Sequence, residues 1–200
     1  GTMATLGGVR LAVFLTREGL VGLDPATGAV KFQQRWRARY ASSVNAATPL
    51  VLGDAIFISA SYETGANLLR VGAAGALSSL WADDETLSSH YATSVHVDGV
   101  LYGFHGRQEY QPSLRAVELK TGKVRWSEER FGAGTVMAIG TRILVVTEDG
   151  RLLLAPTGTA AFTPLARATV LPPAVRAYPA FADGLLYIRN EKTLVALDLR

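Results

Sequence analysis

The chain has 200 residues, 48% of them hydrophobic and 18% charged, which supplies a core and argues against disorder. Twenty glycines and eight prolines imply many turns and disfavour a helical bundle, while the absence of cysteine excludes a disulfide scaffold, a thiolate metal site, a cysteine nucleophile and a lipidated cysteine in this stretch. A net charge of +3 is too small for a nucleic-acid footprint, no apolar run reaches membrane-span length, and Gly1-Thr2-Met3 lacks the basic and apolar regions of a signal peptide.

From the N-terminus, the first element is a hairpin over Thr5-Leu6-Gly7-Gly8-Val9-Arg10 and Leu11-Ala12-Val13, a faint copy of a pattern that returns four times. Gly22-Leu23-Asp24-Pro25-Ala26-Thr27-Gly28-Ala29-Val30-Lys31-Phe32 follows as a second hairpin. Its acid is placed to accept backbone N–H groups across the turn, its Gly to take the left-handed position, and its aromatic to pack sideways on a neighbour. If strand geometry continues beyond it, Lys31, Arg35, Arg37 and Arg39 share one face, and Phe32, Trp36 and Tyr40 the other. That stripe reads either as a charge-protected edge strand or as a contact surface rich in hot-spot residue types. A nucleic-acid role is set aside, because one basic stripe on a nearly balanced chain is weak support.

The second unit opens at Pro49–Phe57 with its turn at Gly53-Asp54, and continues into a long loop, Ser61–Asn67. Its aromatic arrives two residues late, at Trp81 after Gly75, so a bulge or loop change is expected there. Asp83, Asp84, Glu85 and His90 then form an acidic group whose spacing lacks the order of a calcium loop, so a solvated loop is the reading preferred. The third unit turns at Asp98-Gly99 and carries the long connection Phe104–Pro112. Pairing about that turn sets His96 opposite Leu101, so His96 and His105 are not a two-ligand metal site. Its second hairpin, Ala116–Trp126, aligns with Gly22–Phe32 without a gap. The fourth unit turns at Gly140-Thr141 and keeps Thr157-Gly158-Thr159-Ala160-Ala161-Phe162; the fifth turns at Asp183-Gly184 and ends at Leu194–Arg200. With the first turn set at Arg10, equivalent positions Arg10, Asp54, Gly99, Thr141 and Gly184 recur at intervals of 42 to 45 residues.

Four strands per unit with outer aromatics predict an all-β propeller of four-stranded antiparallel blades, about five of them, the last incomplete. The expected blades span about 2–36, 46–82, 91–128, 132–167 and 175–200 of one propeller domain or propeller fragment. The repeated small-x-acid-x-x-Thr-Gly-x-x-x-aromatic motif resembles the pyrroloquinoline-quinone (PQQ)-type β-propeller repeats, the quinoprotein-like family that includes BamB-like assembly lipoproteins. Five blades closing on themselves is the expectation. An arc of a larger ring, with wet apolar ends and a tendency to self-associate, is the alternative.

The resemblance implies a scaffold more than a chemistry. The family's dehydrogenases use Ca²⁺ held by carboxylate and amide groups, an Asp base and commonly a disulfide; this chain has no cysteine and no asparagine beside a carboxylate cluster. No Gly-x-Ser-x-Gly elbow or phosphate-binding Gly-rich loop occurs. No enzyme activity, catalytic residue, cofactor or metal is therefore expected. The expected role is a non-catalytic protein-interaction or sensor module of a bacterium; the competing role is a quinone- or small-ligand-binding domain of an oxidoreductase. The resemblance implies a periplasmic or cell-envelope location, another protein as partner, and no membrane insertion of this segment. The candidate partner-binding residues are Arg35, Trp36, Arg37, Arg39 and Tyr40 of the stripe, with Tyr62, His105, Arg107 and Tyr110 of the two long loops.

Overall fold

In the computed structural model, which describes residues 1–200, the chain forms five antiparallel sheets and no α-helix. The first holds β1 (Thr2–Leu6), β2 (Val9–Thr16), β3 (Gly19–Leu23) and β4 (Val30–Arg35) in sequential order. The second holds β5 (Leu50–Leu52), β6 (Ala55–Ala60), β7 (Gly65–Val71) and β8 (Leu77–Asp83). The third holds β9 (Val95–Val97), β10 (Val100–His105), β11 (Ser113–Glu118) and β12 (Val124–Glu128). The fourth holds β13 (Gly134–Ile139), β14 (Arg142–Thr147), β15 (Arg151–Pro156) and β16 (Ala166–Thr169), and the fifth β17 (Ala180–Ala182), β18 (Leu185–Arg189) and β19 (Leu194–Asp198). Neighbouring sheets touch through their first strands, β1 with β5 and β9 with β13, so first strands lie at the hub and fourth strands at the rim.

Local turn chemistry sets each hub hairpin. Gly7-Gly8, Asp98-Gly99 and Asp183-Gly184 all take positive φ, the type I′ pattern, while Gly53 and Gly140 alone do so in their turns, as in type II′. The first turn is thus Gly7-Gly8 and not Arg10, which sits on β2 opposite Thr5. The predicted pairing of His96 with Leu101 is present. At the second hairpin of the first sheet, the amides of Ala26 and Thr27 donate to Asp24 Oδ1 at 2.9 and 3.3 Å, and Gly28 has φ +73°. Glu118, at the same place in the third sheet, accepts from Thr121 and Arg125 side chains instead.

Alternation across the pleat explains the uninterrupted apolar runs of the second strands. On β10, Val100, Tyr102 and Phe104 enter the core shared with the fourth blade, while Leu101 enters the one shared with the second. On β14, Ile143 and Val145 face the third blade, and Leu144 and Val146 the fifth. On β6, Ile56 and Ile58 face the first blade, and Ala55 and Phe57 the third. Each inner blade is buried on both sides, which is the radial arrangement and not a two-layer sandwich.

The four core clusters lie between consecutive blades, and none joins the fifth to the first. The expected closure of five blades through a shared core is therefore not made. Met3 and Phe14 on the outer side of the first blade are 52% and 38% exposed, and Tyr187 and Leu194 on that of the fifth are 37% and 67% exposed.

The outer aromatics pack as the repeat predicts, with two differences. Trp81 lies against Phe57 and donates Nε1–H to the Leu119 carbonyl of the next blade at 2.7 Å. A register shift occurs in each of the first three blades, so the late Trp81 is accommodated by a short 3₁₀ turn, Ala73–Gly75, and not by a bulge peculiar to that unit. Phe162 lies off the outer strand, in the loop before β16, where its ring sits 5.6 Å from Trp126 and 5.5 Å from Phe131.

Candidate functional site

In an antiparallel four-stranded blade, the loop between strands two and three and the connection leaving strand four emerge at the same end. That end gathers the β6–β7 and β10–β11 loops with the connections before β5 and β9. Together they enclose a cavity of about 510 Å³. Tyr40 and Ser42 come from the first connection, Tyr62 and Glu63 from the β6–β7 turn, and Asp84, Glu85 and Ser88 from the second connection. His105, Gly106, Arg107 and Tyr110 come from the β10–β11 loop.

The turn at Tyr62 and Glu63 is shorter than the extended loop expected, because β6 and β7 remain paired up to Ala60 and Gly65. Tyr62 and Glu63 take φ of +64° and +56°, a conformation that costs roughly 1–2 kcal/mol per non-glycine residue. It presents both side chains to the cavity. Gly65, at φ +85°, has no room for a Cβ against the Asp83–Asp84 backbone and so seats the turn close to the second connection.

An aromatic and cationic stack forms one wall. The Arg107 guanidinium lies 4.6 Å from the Tyr62 ring centroid and 5.4 Å from that of Tyr110, and its Nη2 donates to Glu109 Oε1 at 3.2 Å. His90 Nδ1 accepts the Gln108 amide at 3.4 Å, which assigns the ring proton to Nε2 and makes it the donor to the Tyr62 hydroxyl at 2.8 Å. Tyr40 also lines the cavity, its hydroxyl donating to Glu63 Oε1 at 2.8 Å. Tyr110 is 74% exposed and Tyr40 48%.

The arginine stripe behaves differently. β4 stops at Arg35, so the strand alternation expected through Tyr40 does not exist. Arg35 and Arg37 both pair with Glu18 of the β2–β3 turn. Trp36 is half-buried, donating its indole N–H to the Gly65 carbonyl at 3.3 Å, and ties the first blade to the second. Arg39 is exposed. The structure therefore brings Tyr40, Tyr62, His105, Arg107 and Tyr110 to one cavity and leaves Arg35, Trp36 and Arg37 in contacts beside it. Glu63, Asp84 and His90, not among the expected partner-binding residues, join the site; its sequence signal was the acidic loop lying between two long ones.

Asp83 Oδ1 accepts the Glu85 amide at 2.7 Å and the Thr86 hydroxyl at 2.9 Å, and Asp84 Oδ1 accepts the Ser88 hydroxyl at 2.6 Å. These carboxylates order their own turn, and no group of three or more His, Asp or Glu residues converges in metal-binding geometry.

His105 ends β10, its Nδ1 accepting the Ser88 amide at 3.1 Å. Burial, reinforced by the nearby Arg115 guanidinium, pushes its pKa down to about 4. The unfolded chain binds this proton near pH 6.5 and the folded chain only near 4, so stability is complete above 6.5 and falls as the pH drops between those values. Urea midpoints should show about 2 kcal/mol lost between pH 7 and 5 from this group. His105→Asn, which keeps an acceptor for Ser88, should remove that part of the slope; His90, also lowered by burial, continues to contribute in the variant. An unchanged slope would reject the assignment.

No helix is long and apolar enough to cross a membrane. No curated protein matches the chain. Among solved structures, BamB from Moraxella catarrhalis superposes with a TM-score of 0.69 at 18% identity, over 98% of this chain and 57% of that one. The computationally designed Ika8 protein gives 0.66 at 12% identity with the same coverages, and the designed Ika4 protein 0.60 at 14%, over 84% of this chain and all of its own. The chain thus spans little more than half the length of the first two. The family described as outer membrane protein assembly factor BamB matches residues 2–128, the first three blades and every loop that builds the cavity, and the chain belongs to this family of PQQ-type β-propellers.

Proposed function

We propose that the chain is a non-catalytic docking module of the bacterial cell envelope, and that its partner is a protein held on the loop face of blades one to three. One observation carries the reading: three separate chain segments converge to present Tyr40, Tyr62, Arg107 and Tyr110 around a single open cavity. Tyr and Arg dominate interface hot spots, and a rigid scaffold that exposes them at modest entropic cost suits binding more than chemistry. The family's description as an assembly factor for outer membrane proteins supports both the protein partner and the envelope location.

The test is site-specific photo-crosslinking in the native bacterium from position 110, with Lys192 in the β18–β19 loop as control. A discrete protein adduct is expected from 110 and not from 192. Tyr40→Ala combined with Tyr110→Ala should weaken binding of the identified partner by at least roughly tenfold, since truncating a hot-spot aromatic costs about 2 kcal/mol. The melting temperature should hold, because both residues are exposed and neither belongs to a core cluster. Unaltered binding would reject this face. Saturable micromolar binding of pyrroloquinoline quinone with Ca²⁺ would favour the small-ligand reading instead.

A further inference from the structure

The cavity's charges are unevenly paired. Nine of the chain's seventeen carboxylate side chains have a cationic side chain within 4 Å, and Glu63, Asp84 and Glu85, all lining this cavity, are not among them. Arg107 is already matched by Glu109, and His105 is neutral near pH 7, so neither offsets the three carboxylates. Arg115 gives its guanidinium to the Glu85 and Thr86 carbonyls and to Glu129, so it faces the Glu85 carboxylate without forming an ion pair with it, and Arg39 lies exposed beside Tyr40 without an ion pair. Glu63, Asp84 and Glu85 thus line the cavity as carboxylates without an ion-pair partner of their own.

The walls add a second feature. Arg107 already lies over the Tyr62 and Tyr110 rings, so a further cation would stack on the exposed parts of Tyr110 and Tyr40. Tyr40 lines the same cavity with its hydroxyl committed to Glu63 and about half of its surface exposed.

Building on the docking role, we propose that the cavity receives an arginine side chain from an extended segment of the partner protein. The guanidinium would stack on the tyrosine rim and direct its N–H groups to Glu63 and Glu85. Arginine suits the site better than lysine, because a planar fork can stack and bridge two carboxylates at once, whereas an ammonium is a strongly hydrated point charge. A volume near 510 Å³ exceeds one guanidinium group and leaves room for the flanking backbone. The chemistry is charge recognition, with no bond made or broken.

The experiment uses the chain with ¹³C-labelled tyrosine rings, titrated at low ionic strength with acetyl-Gly-Arg-Gly-amide, and separately with the citrulline peptide as its uncharged counterpart. Saturable shifts at Tyr40 and Tyr110 are expected with the arginine peptide, and binding at least about tenfold weaker with citrulline. Glu63→Gln with Glu85→Gln should weaken the arginine peptide by about tenfold while the melting temperature holds, since neither carboxylate has an ion pair to lose. Equal binding of the two peptides, or indifference to the double substitution, would overturn the proposal. So would tight saturation by Ca²⁺ alone that excludes the peptide, which would make the carboxylates a cation site. Crosslinking from position 110 that persists while the arginine peptide fails would remove the arginine and keep the docking face; loss of the crosslink would remove the face itself.

Discussion

Trp126→Ala is expected to destabilise the chain by about 3–5 kcal/mol, the cost typical of emptying a large aromatic site in a core. Trp126 is 7% exposed on β12 and belongs to the cluster that joins the third blade to the fourth. Its ring touches Tyr102 at 6.0 Å and Phe162 at 5.6 Å, so the cavity would open between blades and not within one. Tyr102 in turn accepts the Gly158 amide on its hydroxyl at 2.8 Å, a bond across the same seam that loosened packing would weaken. Hydrogen exchange should therefore rise in β13–β15 as well as in β12. Trp126→Phe separates packing from hydrogen bonding: the buried indole Nε1 has no partner, so phenylalanine removes an unsatisfied donor along with the lost volume. Its cost should fall clearly below that of alanine. Equal losses, or exchange confined to the third blade, would contradict the role assigned to this ring.

The second large effect concerns a glycine. Gly150→Ala should cost more than about 3 kcal/mol, against roughly 1–2 kcal/mol for Gly28→Ala, although both residues have positive φ. The difference is space. A Cβ at Gly28 meets nothing within 4 Å, whereas at Gly150 it runs into the Leu171 carbonyl. Leu171 is 5% exposed in the core between the fourth and fifth blades, and the neighbouring Val170 amide donates to the Gly150 carbonyl at 2.9 Å. Moving Leu171 aside would disturb that hydrogen bond and the seat of the fifth blade together. Chemical denaturation of the two variants side by side measures the gap, and equal losses would show that φ alone sets the cost.

Much of the fold was legible because its determinants are local. A two-residue turn is selected by the side chains that tolerate positive φ, so Asp98-Gly99 and Asp183-Gly184 announced their hairpins, and the pairing of His96 with Leu101 followed by counting. The spacing of the repeats points to Arg10 for the first turn, but the Gly7-Gly8 pair, which alone there takes positive φ, makes it. The arginine stripe failed for a related reason. Residue types after Phe32 are compatible with a strand, but Trp36 turns inward to meet the Gly65 carbonyl and Arg37 turns to Glu18, ending the alternation.

The candidate site was half legible. Tyr40, Tyr62, His105, Arg107 and Tyr110 were marked by loop length and residue type, yet nothing in their spacing of up to 70 positions says that they meet. Their meeting depends on the angle between successive blades and on the path of the connection carrying Asp84 and Glu85. The carboxylates of that connection looked like a solvated loop until the tyrosines were placed around them.

By itself, the order of residues determined the blades: the period of two along each strand and the turn-forming glycines are satisfied by neighbours a few positions away, and the outer aromatics mark the same place in most repeats. Only the tertiary structure decided that the first and fifth blades share no core, that each apolar run divides between two interfaces, and that loops from three blades meet around one cavity lined by tyrosines and three carboxylates. Those outcomes come from many weak contacts between residues distant in sequence, whose geometry no single repeat contains.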